Sequence, residues 1–210
     1  MRTFKTLTLV AIAILGFTSC SSDDDTTPLL AIESEQVINL HAPQTGGQGQ
    51  PVGGVFTKFD FSTGTITTSD TDWDIAFRGT TIIVNGGESQ GTNDEPNRTG
   101  NAGAYIASNT FAGVTNVDES SFVQDSESTL AIATGSGNGW YTYAGPPTHL
   151  ITPTAGKILI FRTTDNKYAK VEILSYYENA PENPDAFVDA TPYYTFNYVY
   201  QLNENVTTFE

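Results

Sequence analysis

The sequence is short of the side chains on which several function classes depend. It has 210 residues but only one Cys, two His and one Met, the initiator. One Cys excludes an internal disulfide framework, a cysteine-rich zinc site and a cysteine-held iron–sulfur cluster. Two His and no internal Met leave few strong ligands for a transition metal. Nine Lys and Arg stand against 24 Asp and Glu, a formal charge of −15. A nucleic-acid surface needs clustered Lys and Arg to displace counterions, so this balance excludes one.

What is present begins with an address. Arg2 and Lys5 precede the apolar run Leu7 to Phe17, then small Thr18-Ser19, then Cys20. A basic start, a short apolar core and small residues describe an export signal, expected over 1–19. The apolar core is short for a bilayer span. The placement of the lone Cys resembles a bacterial lipobox, which makes Cys20 the expected lipidation site; a plain secretory cleavage is the alternative. Ser21-Ser22-Asp23-Asp24-Asp25 follows. It reads as part of an acidic flexible stalk over 20–35, and it resembles the signal that sends Bacteroidetes lipoproteins to the outer face of the outer membrane. A lipid there would tether the chain without a spanning helix. Loss of residues 1–19 leaves 191 residues and a formal charge of −17, from 7 basic and 24 acidic side chains.

From about 36 to 208 the chain predicts a single antiparallel all-β domain. Thr, Val, Ile, Tyr and Phe are abundant, and period-2 alternation recurs where no 3.6-residue apolar period persists. Val55 to Phe61 alternates, with Val55, Thr57, Phe59 and Phe61 on one face. Asp72 to Arg78 alternates with Trp73, Ile75 and Phe77 on one face and Asp72, Asp74 and Arg78 toward solvent. Thr80 to Val84 then runs to the turn signal Asn85-Gly86-Gly87. Ile158-Leu159-Ile160-Phe161 is apolar on both faces and so central, and with Tyr168 to Tyr177 it makes the clearest hairpin. A last strand spans Tyr193 to Leu202, with Tyr194, Phe196, Tyr198, Tyr200 and Leu202 on one face. The segments 42–54, 85–103 and 178–192 read as loops, and 116–128 has room for a short helix.

Local motifs yield little. Gly87-Glu88-Ser89-Gln90-Gly91 has the pattern of a hydrolase nucleophile elbow, but loop residues follow where a helix is required. Asp70, Asp72 and Asp74 have the opening spacing of a calcium loop, but Ile75 and Thr81 stand where Gly and Glu are needed. His41 and His149 are far apart in sequence and in no metal-binding pair. Trp140-Tyr141-Thr142-Tyr143 follows the Gly/Ser/Asn run 135–139; its aromatics either belong to the core or line a pocket that the Gly-rich approach opens.

Longer strings carry a resemblance. Phe56 to Gly64, Asp72 to Arg78, Ile83 to Ser89, Gly103 to Tyr105, Gly139 to Tyr141, Lys157 to Arg162, Tyr168 to Ile173 and Tyr194 to Tyr200 occur in the order found in the HmuY family, lipid-anchored haem-binding proteins of Bacteroidetes. The resemblance implies a hand-like all-β fold whose extended hairpins grip haem. It also implies non-enzymatic haem acquisition from haemoproteins at the cell surface and delivery to a TonB-dependent outer-membrane receptor. Family members hold the iron by a His pair or a Met pair. This chain has no internal Met, no His from Asp118 to Thr134, and no His at Tyr143-Ala144-Gly145, where the second family His falls. Tyr141, Tyr143 and His149 are therefore the candidate cofactor-binding residues, with Tyr143 and His149 facing the iron; Tyr can ligate haem as a phenolate. Arg78, Arg98, Lys157 and Arg162 are the cations near the expected strands for the propionates. The alternative is a surface interaction lipoprotein of the same fold that has lost haem ligation and binds a glycan, a peptide or a partner protein.

Overall fold

A computed structural model describes residues 28–210. The export signal, Cys20 and the first half of the expected stalk, 20–27, lie outside them. The described chain is all-β and antiparallel, and its one helical element is a 3-10 turn at Glu119–Ser121, inside the segment with room for a helix. No helix among these residues is long and apolar enough to cross a membrane.

Two sheets carry the fold. The first orders β1 (Glu33–His41), β13 (Tyr193–Gln201), β12 (Tyr168–Ser175), β11 (Lys157–Arg162) and β8 (Gly103–Ser108). The second orders β5 (Thr65–Thr67), β4 (Thr57–Asp60), β6 (Ile75–Arg78) and β7 (Thr81–Val84). Two ribbons stand apart: β2 (Thr45–Gly47) with β3 (Gln50–Gly53), and β9 (Tyr141–Tyr143) with β10 (Ile151–Pro153). The expected 157–177 hairpin forms, with Leu159 opposite Val171 and Arg162 opposite Tyr168. The ribbon β2–β3 lies inside the segment 42–54, which reads as loop in sequence. Its strands are short and largely exposed, so they carry no apolar alternation to detect.

The sheets face each other through aromatics. Tyr194, Phe196, Tyr198 and Tyr200 alternate along β13 onto one buried face, as their spacing predicts. Phe77 packs on Tyr194 at 4.8 Å between centroids, Phe59 on Phe196 at 5.7 Å, and Phe61 on Tyr198 at 5.5 Å. Edge-on and tilted pairs of this kind add to plain burial. The opposite face of the first sheet is also covered. Ile158, Ile160, Tyr168 and Val199 pack with Val114 and the C-terminal Phe209. This explains why Ile158 to Phe161 is apolar on both faces.

Two sequence expectations need correction. Trp73 does not share a face with Ile75 and Phe77. Strand geometry starts only at Ile75, and Trp73 sits in a bend that turns it to the far side, against Phe56, Ala76 and Ile83. Val55, expected on the Phe59 face, is exposed, and Phe56 is buried instead. The second reversal concerns charge. Asp74 and Arg78, expected in solvent, are each only 3% exposed.

Asp74 works as a clamp. Its carboxylate accepts from Phe61 N–H at 3.0 Å and from Thr164 N–H and Oγ1 at 2.8 and 3.0 Å. It thereby joins the end of β4 to the β11–β12 turn of the opposite sheet. Burial pushes its pKa up to about 6, against the pull of those hydrogen bonds. A carboxyl whose folded pKa is raised favours folding below its unfolded pKa. That contribution is lost as pH rises through the folded value. The Asp74 carboxyl should therefore titrate near 6 by carbon-13 chemical shift. Its contribution to stability should decline between about pH 4 and pH 6. A second expectation concerns packing. Phe196→Ala should cost about 3–5 kcal/mol in urea denaturation, the usual range for deleting a buried ring.

Candidate functional site

The ribbon β9–β10 leaves the core at its base and ends in an exposed tip. At the base, Trp140 Nε1 donates to Thr80 O at 3.0 Å, and Ile151 N–H donates to Tyr177 Oη at 2.9 Å. Tyr141 is buried at 9% exposure, with its ring 5.0 Å from Trp140 and its hydroxyl accepting from Thr80 Oγ1 at 3.4 Å. Tyr143 is 42% exposed at the tip. Strand alternation would bury one of the pairs Tyr141/Tyr143 and Trp140/Thr142. The division instead runs along the ribbon, because only its first residues overlie the core.

The tip brings Tyr143 and His149 together. Ala144 N–H donates to Leu150 O at 2.9 Å and His149 N–H to Gly145 O at 2.8 Å, closing the turn between the strands. Gly145 and His149 both hold positive φ, 69° and 55°. A left-handed residue other than Gly is uncommon and is held only by its surroundings. Here it carries the imidazole to Tyr143, and Tyr143 Oη and His149 Nδ1 share a hydrogen bond. The His149 ring also meets the edge of Phe187, with centroids 5.6 Å apart.

Phe187 belongs to the loop 178–192. Asp185 shapes that loop: its carboxylate accepts from Phe187 N–H at 2.9 Å, and its carbonyl accepts from Val188 and Asp189 N–H. This local turn holds Phe187 and Val188 out of the core, 72% and 78% exposed. Between the loop and the ribbon tip lies a cleft of about 340 Å³, whose apolar wall is Pro147, Leu150, Pro184, Ala186 and Phe187 and whose polar members are Thr148 and Asp185. An exposed apolar wall beside a phenol and an imidazole is a receptive surface rather than a core feature.

His41 is elsewhere. It ends β1 and stacks on Tyr193 at 4.5 Å. Ser89 lies in an irregular loop with no helix after it, which removes the nucleophile elbow. The loop 85–103 is itself well anchored. Asn85 is buried, its amide donating to Thr71 and Trp73 carbonyls while its oxygen accepts from Thr99 and Gly100 N–H. Arg98 bridges Glu95 at 2.8 Å and Asp125 at 3.0 Å out of solvent. No group of three or more His, Cys, Asp or Glu among the described residues is arranged to hold a metal ion.

Comparison with known proteins places this architecture. The family model described as HmuY protein matches residues 55–198. The chain belongs to the HmuY family. The apo HmuY analogue of Tannerella forsythia has a similar fold, with TM-score 0.51 at 12% identity over 83% of this chain and 99% of that one. A proposed HmuY-like haem-binding protein of Bacteroides vulgatus aligns at TM-score 0.48 and 15% identity, over 82% of this chain and 93% of that one. A proposed lipoprotein of Bacteroides fragilis aligns at 0.47 and 14%, over 82% and 90%. No curated protein sequence matches the chain. His149 is the one His within the matched span of this HmuY-family chain, since His41 precedes it.

Phe187 and the cleft were not legible in the sequence, because nothing local joins 184–187 to 147–150. The available signal was an apolar pair, Phe187-Val188, inside a Pro-rich segment with no strand pattern. Tyr143 and His149 carry little of the folding energy in this geometry. Tyr143→Phe and His149→Asn should each shift stability by less than about 1 kcal/mol, read as the thermal midpoint, because exposed groups outside the core rarely cost more.

Proposed function

We propose that this HmuY-family protein is a non-enzymatic tetrapyrrole-binding module, with haem as its ligand, acting in haem acquisition at the cell surface. The observation that supports this most is the Tyr143–His149 pair, exposed at the tip of a ribbon beside an apolar cleft. Haem needs an apolar wall for its face and only one or two axial donors, because the porphyrin supplies four nitrogens. The cleft wall of Pro147, Leu150 and Phe187 has the first character. The hydrogen-bonded phenol and imidazole have the second. This combination supports the reading, with the donors beside the cleft, where the His149 ring meets Phe187, rather than in its wall. Tyr143 and His149 would hold the iron side, Phe187 would cover an edge and exclude water, and Tyr141 would brace the ribbon from the core. Iron when bound would supply reversible ligation to these donors.

The family is one of binding proteins. The chain's own donor set is narrower than a His or Met pair, which suits a weaker or five-coordinate site. Lipidation at Cys20, residence on the outer face of the outer membrane, capture from haemoproteins and transfer to a TonB-dependent receptor complete the reading. They rest on the lipobox-like start, the acidic stalk and the family. The proposed organisation is a leader at 1–19, a stalk from 20 up to β1, which takes in Glu33 to Glu35 of the expected 20–35, and the β domain to 208.

A haemin titration tests it. The chain lacking residues 1–19, with Cys20→Ser, should give a saturable Soret shift. Tyr143→Phe and His149→Asn should each weaken binding by about tenfold or more, near 1.4 kcal/mol. No saturable shift with ferric or ferrous haem would leave the second reading, in which the Phe187–Val188 surface docks a peptide, a glycan or a partner protein. The narrow donor set within the matched span favours keeping that reading.

A further inference from the structure

The sequence contains two Asn-Gly steps, Asn85-Gly86 and Asn138-Gly139. At such a step the Asn side chain is open to attack by the next backbone nitrogen, because Gly has no Cβ to block a close approach. The fold treats the two steps in opposite ways. Asn85 is fully buried. Its Nδ2 donates to Thr71 O at 3.0 Å and Trp73 O at 2.9 Å, and its Oδ1 accepts from Thr99 N–H at 2.7 Å and Gly100 N–H at 3.1 Å. Both ends of that amide are held in place. Asn138 is exposed, in the turn that follows Gly135 and Gly137. Its Nδ2 makes one bond, to Thr134 O at 3.3 Å. Among the described residues, neither its Oδ1 nor the Gly139 N–H has a hydrogen-bond partner.

The turn that holds Asn138 also holds the ribbon. Gly137 N–H donates to Tyr141 O at 2.9 Å, and Ser136 Oγ accepts from Tyr143 N–H at 2.8 Å. Trp140 O and Ala144 N–H bond the β10 side, to Thr154 and Leu150, so the turn holds the other edge of β9. Toward the core there is no slack. A Cβ on Gly139 would meet Ala133 O at 2.0 Å. Trp140 follows at once, buried, with Nε1 on Thr80 O. Any lengthening of the chain between Gly137 and Gly139 must therefore break a contact on one side. From Ser128 to Gly156 the sequence has no Asp, Glu, Lys or Arg, so a carboxylate at 138 would be the first charge in the segment that carries the ribbon.

We propose that Asn138 is the deamidation site of this protein, and that its isoaspartyl product frees β9 from the Ser136–Gly137 turn. Gly139 N attacks Asn138 Cγ. The N–Cγ bond forms, the Cγ–Nδ2 bond breaks, and the Gly139 proton passes through water to the departing nitrogen, which leaves as ammonia. Water then opens the cyclic imide. Hydrolysis at the side-chain carbonyl gives Asp. Hydrolysis at the main-chain carbonyl gives isoaspartate, with one methylene more in the backbone. Water is the only co-reactant. The added methylene falls between the exposed turn and the buried Gly139-Trp140, so the turn's bonds to Tyr141 and Tyr143 are the ones that yield. The result is a slow, one-way loosening of the strand that carries Tyr143. It does not depend on haem or on the Tyr143–His149 hydrogen bond.

The test uses the chain lacking residues 1–19, with Cys20→Ser, held at mildly alkaline pH without haem. Peptide mass spectrometry should find the amide-to-acid conversion first at Asn138, while Asn85 keeps its amide. In urea the two steps should convert at similar rates, because only the fold separates them. Asn138→Gln should fold alike and lose the early acidic form on anion exchange. A folded chain in which Asn138 keeps its amide, or in which Asn85 converts as fast, overturns the site. So does an Asn85 that stays slow in urea, which would place the difference in local sequence. The second part is read by amide hydrogen exchange on the isoaspartyl form, isolated by anion exchange and assigned by enzymatic isoaspartyl methylation. The amides of Gly137 and Tyr143 should exchange at least several-fold faster than in the parent, with that of Ile151 unchanged. Asn138→Asp supplies the charge without the methylene and should exchange like the parent. An isoaspartyl form that matches the parent overturns the release of β9, and so does an Asn138→Asp chain that exchanges as fast as the isoaspartyl form. Because no haem enters, either failure leaves the haemin titration unaffected.

Discussion

The rest of the structure depends on one interface, the interleaving of the β13 aromatics with Phe59, Phe61 and Phe77 of the smaller sheet. A sheet with one apolar face must bury it against something, and here each sheet is the other's cover. The register of β13 sets which rings face inward, and a slip of one residue would turn Tyr194, Phe196, Tyr198 and Tyr200 outward together. Asp74 fixes the same relation by polar means, holding Phe61 and Thr164 from opposite sheets on one carboxylate. Everything that protrudes, including the β9–β10 ribbon and the loop 178–192, is built on a base this rigid.

Buried charge has two different uses in the molecule. Arg98 is matched by Glu95 and Asp125, and the triad straps the loop 85–103 to the segment before Ile132. Asp125 extends the strap by accepting from Val84 N–H at the end of β7. Arg78 meets its counter-charge at one remove, because the Thr92 hydroxyl that accepts from its Nη2 donates to Glu95. The first arrangement fixes the loop to the segment before Ile132, and the second ties the same loop to the end of β6.

The sequence made the fold class legible wherever apolar alternation was strong. β11, β12 and β13 follow their pattern because each is long enough for period 2 to be counted, and the two-faced burial of Ile158 to Phe161 follows from composition. β2 and β3 escaped because exposed Gly and Gln carry no such pattern. Trp73 and Phe56 depart from the expected faces for a shared cause: both lie just outside regular strand geometry, where alternation does not hold. Asp74 and Arg78 looked like a solvent face because polarity is ordinarily a surface property, and their partners at Thr164, Gly54 and Asn93 are remote in sequence. At the candidate site, Tyr143 and His149 are only six positions apart, and the turn between them made their meeting readable. Their apolar wall came from a separate loop, and only the folded chain brings it near.

The pairing of β1 with β13 has a mechanical consequence. β1 enters beside Tyr200 at Glu33 and leaves beside Tyr193 at His41. Tyr193 N–H bonds Tyr176 O, and Tyr177 Oη receives Ile151 N–H, so the exit end of β1 lies on the side of the sandwich from which the ribbon projects. Nine strand residues at about 3.3 Å each separate the two ends by roughly 30 Å. Any pull on the N-terminus is thus borne at the far edge of the sheet, as shear across the β1–β13 hydrogen bonds. The tip that carries Tyr143 and His149 lies toward the opposite end of β1 from Glu33, outside that line of force.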